Sequence, residues 1–231
     1  MPLKEVSMSA PLSGWMRRAF SDPRLNVYVA AANGDVAVAE RLYWWNIEVS
    51  GAFYGPLHCL ELGPRNALDV QLRSAYARDM WWDAAPLTAS GQRMVAEARA
   101  KCRRRGNASV AADDVVAQLS FGFWTSLLSN SRGSQYDRRL WVPILHRAFP
   151  HYRGRRKDLH DNLEAMRLLR NRIMHHEPIH HRDLTADHRK IYRLIQYIDR
   201  ASAKEANALD RVQFVLADRQ AVCDGSRLPR F

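Results

Sequence analysis

A chain of 231 residues with 47% hydrophobic and 26% charged side chains can bury a substantial core, which excludes an intrinsically disordered protein. The net charge of +11 favours an anionic partner such as nucleic acid, although a general preference for arginine would produce the same excess. The three cysteines form no CxxC pair and no apolar run approaches about 20 residues, so no disulfide framework, zinc knuckle or membrane span is expected.

Apolar residues recur at helical spacing along almost the whole chain, and no strand-like alternation of useful length interrupts them. Caps or breaks are predicted at Ser21, Asp35 and Asp183. Pro56 and Pro64 are predicted to kink or interrupt the first long helix. The predicted helices cover residues 36–53, about 65–76, 89–105, 113–129, 137–149, 158 to about 174 and 203–217, with a further apolar face at 191–198.

These patterns predict an all-α fold, in which one helical bundle carries additional N-terminal helices. Residues 1–231 are predicted to form a single domain, because no repeat or low-complexity linker divides the chain. Residues 1–12 and 218–231 are expected to be flexible termini. The N-terminus lacks the apolar segment of a signal peptide, so a cytoplasmic location is expected.

Two clusters of basic residues flank predicted helices and are candidates for contacts with a phosphate backbone. The first stands at the end of the helix over 89–105, where it would equally complement the helix dipole. The second precedes the helix that starts at residue 158. The clusters comprise Lys101, Arg103, Arg104 and Arg105, and Arg153, Arg155, Arg156 and Lys157.

The segment 168–181 concentrates two arginines, an asparagine, four histidines and a glutamate directly after a helical pattern. Part of it, residues 176–180, matches the HExxH signature of zinc proteases. That signature requires a continuous helix, which Pro178 would break, and no convincing third ligand follows, so no metal or cofactor is expected. His180 and His181 receive no assigned role.

A simpler interpretation makes the histidines caps for the last carbonyls of a helix, which leaves Arg170 and Asn171 unexplained. A second interpretation pairs Arg170 with His175 on a phosphate group. Histidine suits proton transfer near neutral pH, and arginine holds phosphate charge bidentately. Five residues along a straight helix lie about 140° apart around its axis, so the two side chains converge only if the helix ends near Met174 or if two chains meet.

At this point the sequence resembles a known family. Arg170, Asn171 and His175 match the R-x4-6-H motif of the HEPN superfamily (higher eukaryotes and prokaryotes nucleotide-binding), and the wider string over 169–179 resembles its Abi-like, abortive-infection branch. The resemblance spans about residues 13–200. Other family-like phrases are Ser21-Asp22-Pro23-Arg24, Leu42-Tyr43-Trp44-Trp45-Asn46, Glu61 with Arg65-Asn66-Ala67-Leu68, Leu119-Ser120-Phe121-Gly122-Phe123-Trp124, and Leu140-Trp141 before Phe149-Pro150.

The resemblance implies a HEPN-like helical bundle that dimerises and cleaves RNA without metal, as a toxin or in phage defence. It implies that Arg170 and His175 are the catalytic pair and that Asn171 orients the site. Supporting roles fall to His176 and Glu177 and to a second polar phrase, Glu61, Arg65 and Asn66. That second phrase has an alternative interpretation as an i, i+4 Glu–Arg pair on a helix surface.

The resemblance leaves two further questions open. An antitoxin or regulatory partner is implied, but family members modified by a nucleotidyltransferase antitoxin carry a tyrosine where this chain has Glu177, so that route is not expected. Some HEPN domains bind nucleotides or RNA without catalysis, and this non-catalytic binding module is the alternative function. Pro64 also departs from the continuous helix expected around Arg65.

Overall fold

The computed structural model describes residues 12–104, 110–129 and 133–231, and this part of the chain is all-α, with no strand. Eleven α-helices occur in it, joined by 3-10 turns at Trp81–Asp83 and Leu145–Ala148 and a π turn at Asp137–Trp141. The helices are α1 (Gly14–Phe20), α2 (Asp22–Ala31), α3 (Val36–Tyr76), α4 (Ala89–Arg104), α5 (Ala112–Gln118), α6 (Phe121–Ser126), α7 (Arg156–Met174), α8 (Leu184–Ile198), α9 (Arg200–Ala208), α10 (Val212–Ala217) and α11 (Arg219–Asp224).

Helix α3 is the axis of the molecule and runs for 41 residues, a length of about 60 Å. It packs against α2, α8, α10 and α11, among others. The predicted interruption at Pro56 and Pro64 is wrong, since both prolines are buried inside the continuous helix. Packing on several sides outweighs the backbone hydrogen bonds that the two prolines remove.

Two other predicted helices are broken in the structure. The one expected over 113–129 divides at Leu119, because Ser120 adopts an extended conformation and its side chain accepts a hydrogen bond from the N–H of Phe123, which caps α6. The one expected over 137–149 is replaced by the π turn and the 3-10 turn. Apolar periodicity alone does not distinguish one long helix from two short ones that share a face.

The helices that follow agree better with the sequence. Helix α7 ends at Met174 as predicted, and Asp183 caps α8 by accepting from the N–H of Ala186. The last predicted helix, over 203–217, forms instead as α9 and α10.

The segment 218–231, predicted to be a flexible terminus, contains α11 and packs on α3. Arg227 of this segment pairs with the buried carboxylate of Glu48, at 2.9 and 3.1 Å.

The core follows α3 and is rich in tryptophan. Four of the seven tryptophans are buried, namely Trp45, Trp81, Trp82 and Trp124. The Trp45 indole donates to the Val215 carbonyl at 3.0 Å, which ties α10 to α3. No helix within the described ranges combines the length and the apolarity needed to cross a membrane.

Candidate functional site

The end of α7 is shaped by a Schellman motif. Two hydrogen bonds close it, from the N–H of His176 to the carbonyl of Ile173 at 3.0 Å and from the N–H of Glu177 to the carbonyl of Arg172 at 2.8 Å. His176 occupies the left-handed position, with φ of 58°. The chain therefore leaves the helix directly after Met174, as the proline at 178 predicted.

A buried amide on α3 holds the loop that follows. The side-chain oxygen of Asn46, which is 5% exposed, accepts hydrogen bonds from the N–H groups of Ile179 at 2.8 Å and His180 at 3.1 Å. From the other side, Arg24 of α2 donates to the carbonyl of His176 at 2.5 Å. The loop is thus fixed to two helices through its backbone, and sequence reasoning assigned neither residue this role.

Arg172 organises the same loop through its side chain. One terminal nitrogen donates to the Pro178 carbonyl at 3.3 Å and lies 3.4 Å from Nε2 of His181. Its Nε lies 3.7 Å from the Glu177 carboxylate. Arg172 therefore stabilises the loop after α7, whereas Arg170 lines an open pocket.

Residues 176–180 do not form the helix that a zinc-protease signature requires. His176 lies in the left-handed turn, whereas His180 is buried against the ring of Tyr28, with ring centroids 4.9 Å apart. Their imidazoles therefore cannot face one metal from successive helical turns. Among the described residues, no group of three or more histidine, cysteine, aspartate or glutamate side chains is placed to hold a metal ion.

Arg170 lies in an open pocket of about 210 Å³ between α3 and α7, which we call the Arg170 pocket. Its Nε donates to the Glu61 carboxylate at 3.1 Å, and the two side chains are 34% and 25% exposed. Tyr54 and His58 line the same pocket from α3. The pocket is half-open to solvent and presents a guanidinium beside a carboxylate and an imidazole.

His175 does not line the Arg170 pocket. It is the C-cap of α7, it is exposed, and its ring makes no hydrogen bond within the described residues. Arg170 lines the pocket and His175 does not, so the pocket formed by one chain lacks this imidazole.

The second polar phrase divides in the structure. Glu61 pairs with Arg170 across two helices rather than with Arg65 along α3. Arg65 donates instead to the side-chain oxygen of Asn66 at 3.1 Å, and Asn66 is exposed. The structure therefore brings Glu61 to Arg170 and leaves Arg65 and Asn66 one turn further along. Asn171 is half-buried, and its side chain makes no hydrogen bond in the described part of the chain.

Sequence reasoning missed His58. It follows Tyr54 by four residues and precedes Glu61 by three, a spacing that places all three on one face of a helix. Its ring stacks on that of Tyr54, with centroids 6.5 Å apart. This spacing is visible in the sequence. The predicted interruption of the helix at Pro56 placed Tyr54 and His58 in different elements, so their shared helix face was not recognised.

The basic cluster before α7 is only partly available to a ligand. Arg153, Arg155 and Lys157 are exposed, although Arg155 and Lys157 pair with acidic neighbours on α7. Arg156 contradicts its predicted role in RNA binding: its side chain is 8% exposed and donates to the carbonyls of Leu128 and Ser129. It anchors the start of α7 to the loop after α6 and cannot meet a phosphate.

The other basic cluster closes α4. Lys101, Arg103 and Arg104 are exposed in its last turn, a position that complements the helix dipole and also leaves them accessible. Arg105, the fourth residue of this cluster, lies outside the described residues.

Two histidines in the loop after α7 have pKa values below the ordinary value for histidine. Burial, with smaller contributions from His181 and Arg219, lowers the pKa of His180 to about 4. Burial also lowers the pKa of His181, and Arg172 and Arg182 act in the same direction. The buried imidazole of His180 is therefore neutral near pH 7 and cannot donate a proton there.

Comparisons with known proteins add no further identification, because no family model, no curated protein and no solved structure matches this chain.

Proposed function

We propose that this protein is a metal-independent endoribonuclease of the toxin or phage-defence type, which acts on cytoplasmic RNA as a homodimer. The observation that carries the proposal is the end of α7. There an exposed imidazole, His175, follows a half-buried guanidinium, Arg170, that a carboxylate on another helix orients. The net charge of +11 supports a polyanionic substrate.

Each group has a defined role in this chemistry. His175 moves the proton, either from the attacking 2′-OH or to the departing 5′-oxygen. Arg170 stabilises the charge on the phosphorane, while Glu61 fixes its orientation from α3. Attack of the 2′-oxygen on phosphorus breaks the bond to the 5′-oxygen, so the products carry a 2′,3′-cyclic phosphate and a 5′-hydroxyl.

The geometry of one chain supports the need for a second. Of the catalytic pair, only Arg170 lines the Arg170 pocket. A partner subunit that presents its own α7 end would supply an imidazole opposite each guanidinium. An antitoxin or regulatory partner that separated the two subunits would then silence the enzyme.

A second candidate function is a non-catalytic RNA- or nucleotide-binding module. One observation favours it, namely that the Arg170 side chain is already paired with Glu61 at 3.1 Å. That pair reduces the positive charge available to a transition state. The side chains of Lys101, Arg103, Arg104 and Arg153 are exposed and can contact a nucleic acid backbone. Such a module would bind RNA without cutting it.

The experiment that separates these functions measures cleavage of total cellular RNA in EDTA, beside binding of the same RNA. The variants are His175→Ala and Arg170→Ala. The matched controls are His151→Ala and Arg193→Ala, which change exposed residues away from the Arg170 pocket. We expect the first two variants to lose at least about a hundredfold in rate with RNA affinity nearly unchanged.

Cleavage that EDTA abolishes would contradict a metal-independent mechanism. Cleavage that both His175→Ala and Arg170→Ala retain would place the activity elsewhere on the molecule. RNA binding without cleavage by the wild type, at concentrations that support the dimer, would favour the non-catalytic module.

A further inference from the structure

A second cavity, of about 350 Å³, lies between α2, α3 and the end of α7. It shares no lining residue with the Arg170 pocket. Its volume is in the range of small-molecule sites. Phe20, Ile47 and Ile173 give it an apolar wall. We call this space the donor cavity because of the polar atoms that face it.

Three nearly buried side chains reach the donor cavity with hydrogen-bond donors that have no acceptor. Tyr28, Tyr43 and Asn46 are 2%, 6% and 5% exposed and all line the cavity. In the described part of the chain, no group accepts from the two phenolic hydroxyls or from Nδ2 of Asn46. None of the three atoms is fully buried, so the small accessible surface of each residue includes its unused donor.

A cation lies beside the two phenols. Burial raises the pKa of Tyr28 and that of Tyr43, and in both cases the Arg24 guanidinium acts in the opposite direction. The two rings are in edge contact, with centroids 5.2 Å apart. Arg24 donates to the His176 carbonyl, which uses one of its five N–H groups. Arg24, Tyr28 and Tyr43 all line the cavity, so the guanidinium and both phenols border the same space.

The donor cavity lacks the opposite charge. No aspartate or glutamate is among its lining residues, and the Asn46 oxygen is already used by the loop. Two protonated phenols, an amide N–H and a guanidinium can all donate, and an anion is the ligand that accepts from all of them. The apolar wall then accommodates an uncharged body attached to the anion.

We propose that the donor cavity is a binding site for a small amphiphilic anion, with a carboxylate or phosphate head on Arg24, Tyr28, Tyr43 and Asn46 and an apolar body on Phe20, Ile47 and Ile173. The site is distinct from the Arg170 pocket, and its occupation does not depend on ribonuclease activity. Because Arg24 and Asn46 also hold the backbone of His176, Ile179 and His180, the ligand contacts the supports of the loop that follows α7.

The test is isothermal titration calorimetry of the full chain with three probes of similar size. They are phenylacetate, phenyl phosphate and the neutral phenylacetamide. We expect one or both anions to bind and the amide to bind at least about tenfold more weakly. The double variant Tyr28→Phe/Tyr43→Phe keeps both rings and removes both hydroxyls. We expect it to weaken the anion about tenfold or more, because a hydrogen bond to a charged group is lost.

Tyr197→Phe is the matched control, because it removes a hydroxyl outside the donor cavity, and its affinity for the anion should equal that of the wild type. Which anion binds more tightly identifies the head group. The proposal is overturned if neither anion binds the wild type, if phenylacetamide binds equally well, or if the double variant, with an unchanged melting temperature, keeps full affinity.

Discussion

His180 shows how one buried imidazole makes stability depend on pH. It is 6% exposed, and its backbone N–H is held by Asn46. Its pKa of about 4 lies below the ordinary value of 6.5, so the folded state keeps the ring neutral while the unfolded chain protonates it. Above pH 6.5 both states are neutral and His180 contributes no pH dependence. As the pH falls from about 6.5 to about 4, stability is lost.

We expect His180→Gln to remove part of the acid sensitivity of the protein. Between pH 7 and pH 5 the wild type should lose about 2 kcal/mol of unfolding free energy through this residue. The loss in the variant over the same pH range should be smaller than that of the wild type by this amount. Urea unfolding at the two pH values measures the difference. His151→Gln, at an exposed histidine, should keep the wild-type slope, and an identical slope in His180→Gln would contradict the prediction.

At the scale of residues, the sequence distinguished some arginines poorly. Arg156 and Arg170 both stand on α7 among polar neighbours, yet one is buried against two backbone carbonyls and the other lines an open pocket. Local sequence does not reveal which face of a helix its neighbours will cover. The spacing to His175 indicates a role for Arg170. Its partner Glu61 is visible only in the structure, because the packing of α3 on α7 creates that contact.

The elements of the fold were predictable where local and tertiary signals agree. The apolar stripe of α7 and the proline after it both place the end near Met174, and the helix ends there. Helix α3 was not predictable, because Pro56 and Pro64 are local signals for interruption and only its burial among other helices overrides them. This failure also concealed the face that carries Tyr54, His58 and Glu61.

The turn at the end of α7 carries strain that a single substitution should relieve. His176 has φ of 58°, a conformation that glycine adopts without penalty. We expect His176→Gly to raise the unfolding free energy by roughly 1 kcal/mol, or the melting temperature by about 2–4 °C. Thermal unfolding monitored by circular dichroism measures this.

The neighbouring residue provides the control. His175 has φ of −93°, so His175→Gly relieves nothing and should destabilise the protein by about 0.5–1 kcal/mol through the added freedom of the unfolded chain. Equal effects at the two positions would show that backbone strain is not the cause.

At the scale of the whole molecule, one ion pair joins the C-terminal segment to the central helix. Glu48 is 1% exposed on α3 and receives two hydrogen bonds from Arg227. A second carboxylate, that of Asp218, lies 3.1 Å from the same guanidinium. Removal of Arg227 would leave a buried carboxylate without a partner, which is costly because its desolvation is no longer compensated.

We expect Arg227→Met to lower the unfolding free energy by about 3 kcal/mol. The double variant Glu48→Gln/Arg227→Met should recover much of this loss, because it removes the buried charge as well. Arg17→Met, which breaks an exposed pair with Asp22, is the control and should have little effect. A double variant no more stable than Arg227→Met would contradict this explanation.

The same pair has a consequence for the order of events during synthesis. Glu48 and Arg227 are 179 residues apart in sequence, and Trp45 and its acceptor Val215 are 170 apart. At 5–20 residues per second, a ribosome needs about 10 to 40 seconds to add these partners after it has added Trp45 and Glu48. During that interval Trp45 and Glu48 of the central helix lack these hydrogen-bond partners. The two contacts form only after α10 and the segment that contains Arg227 have been translated.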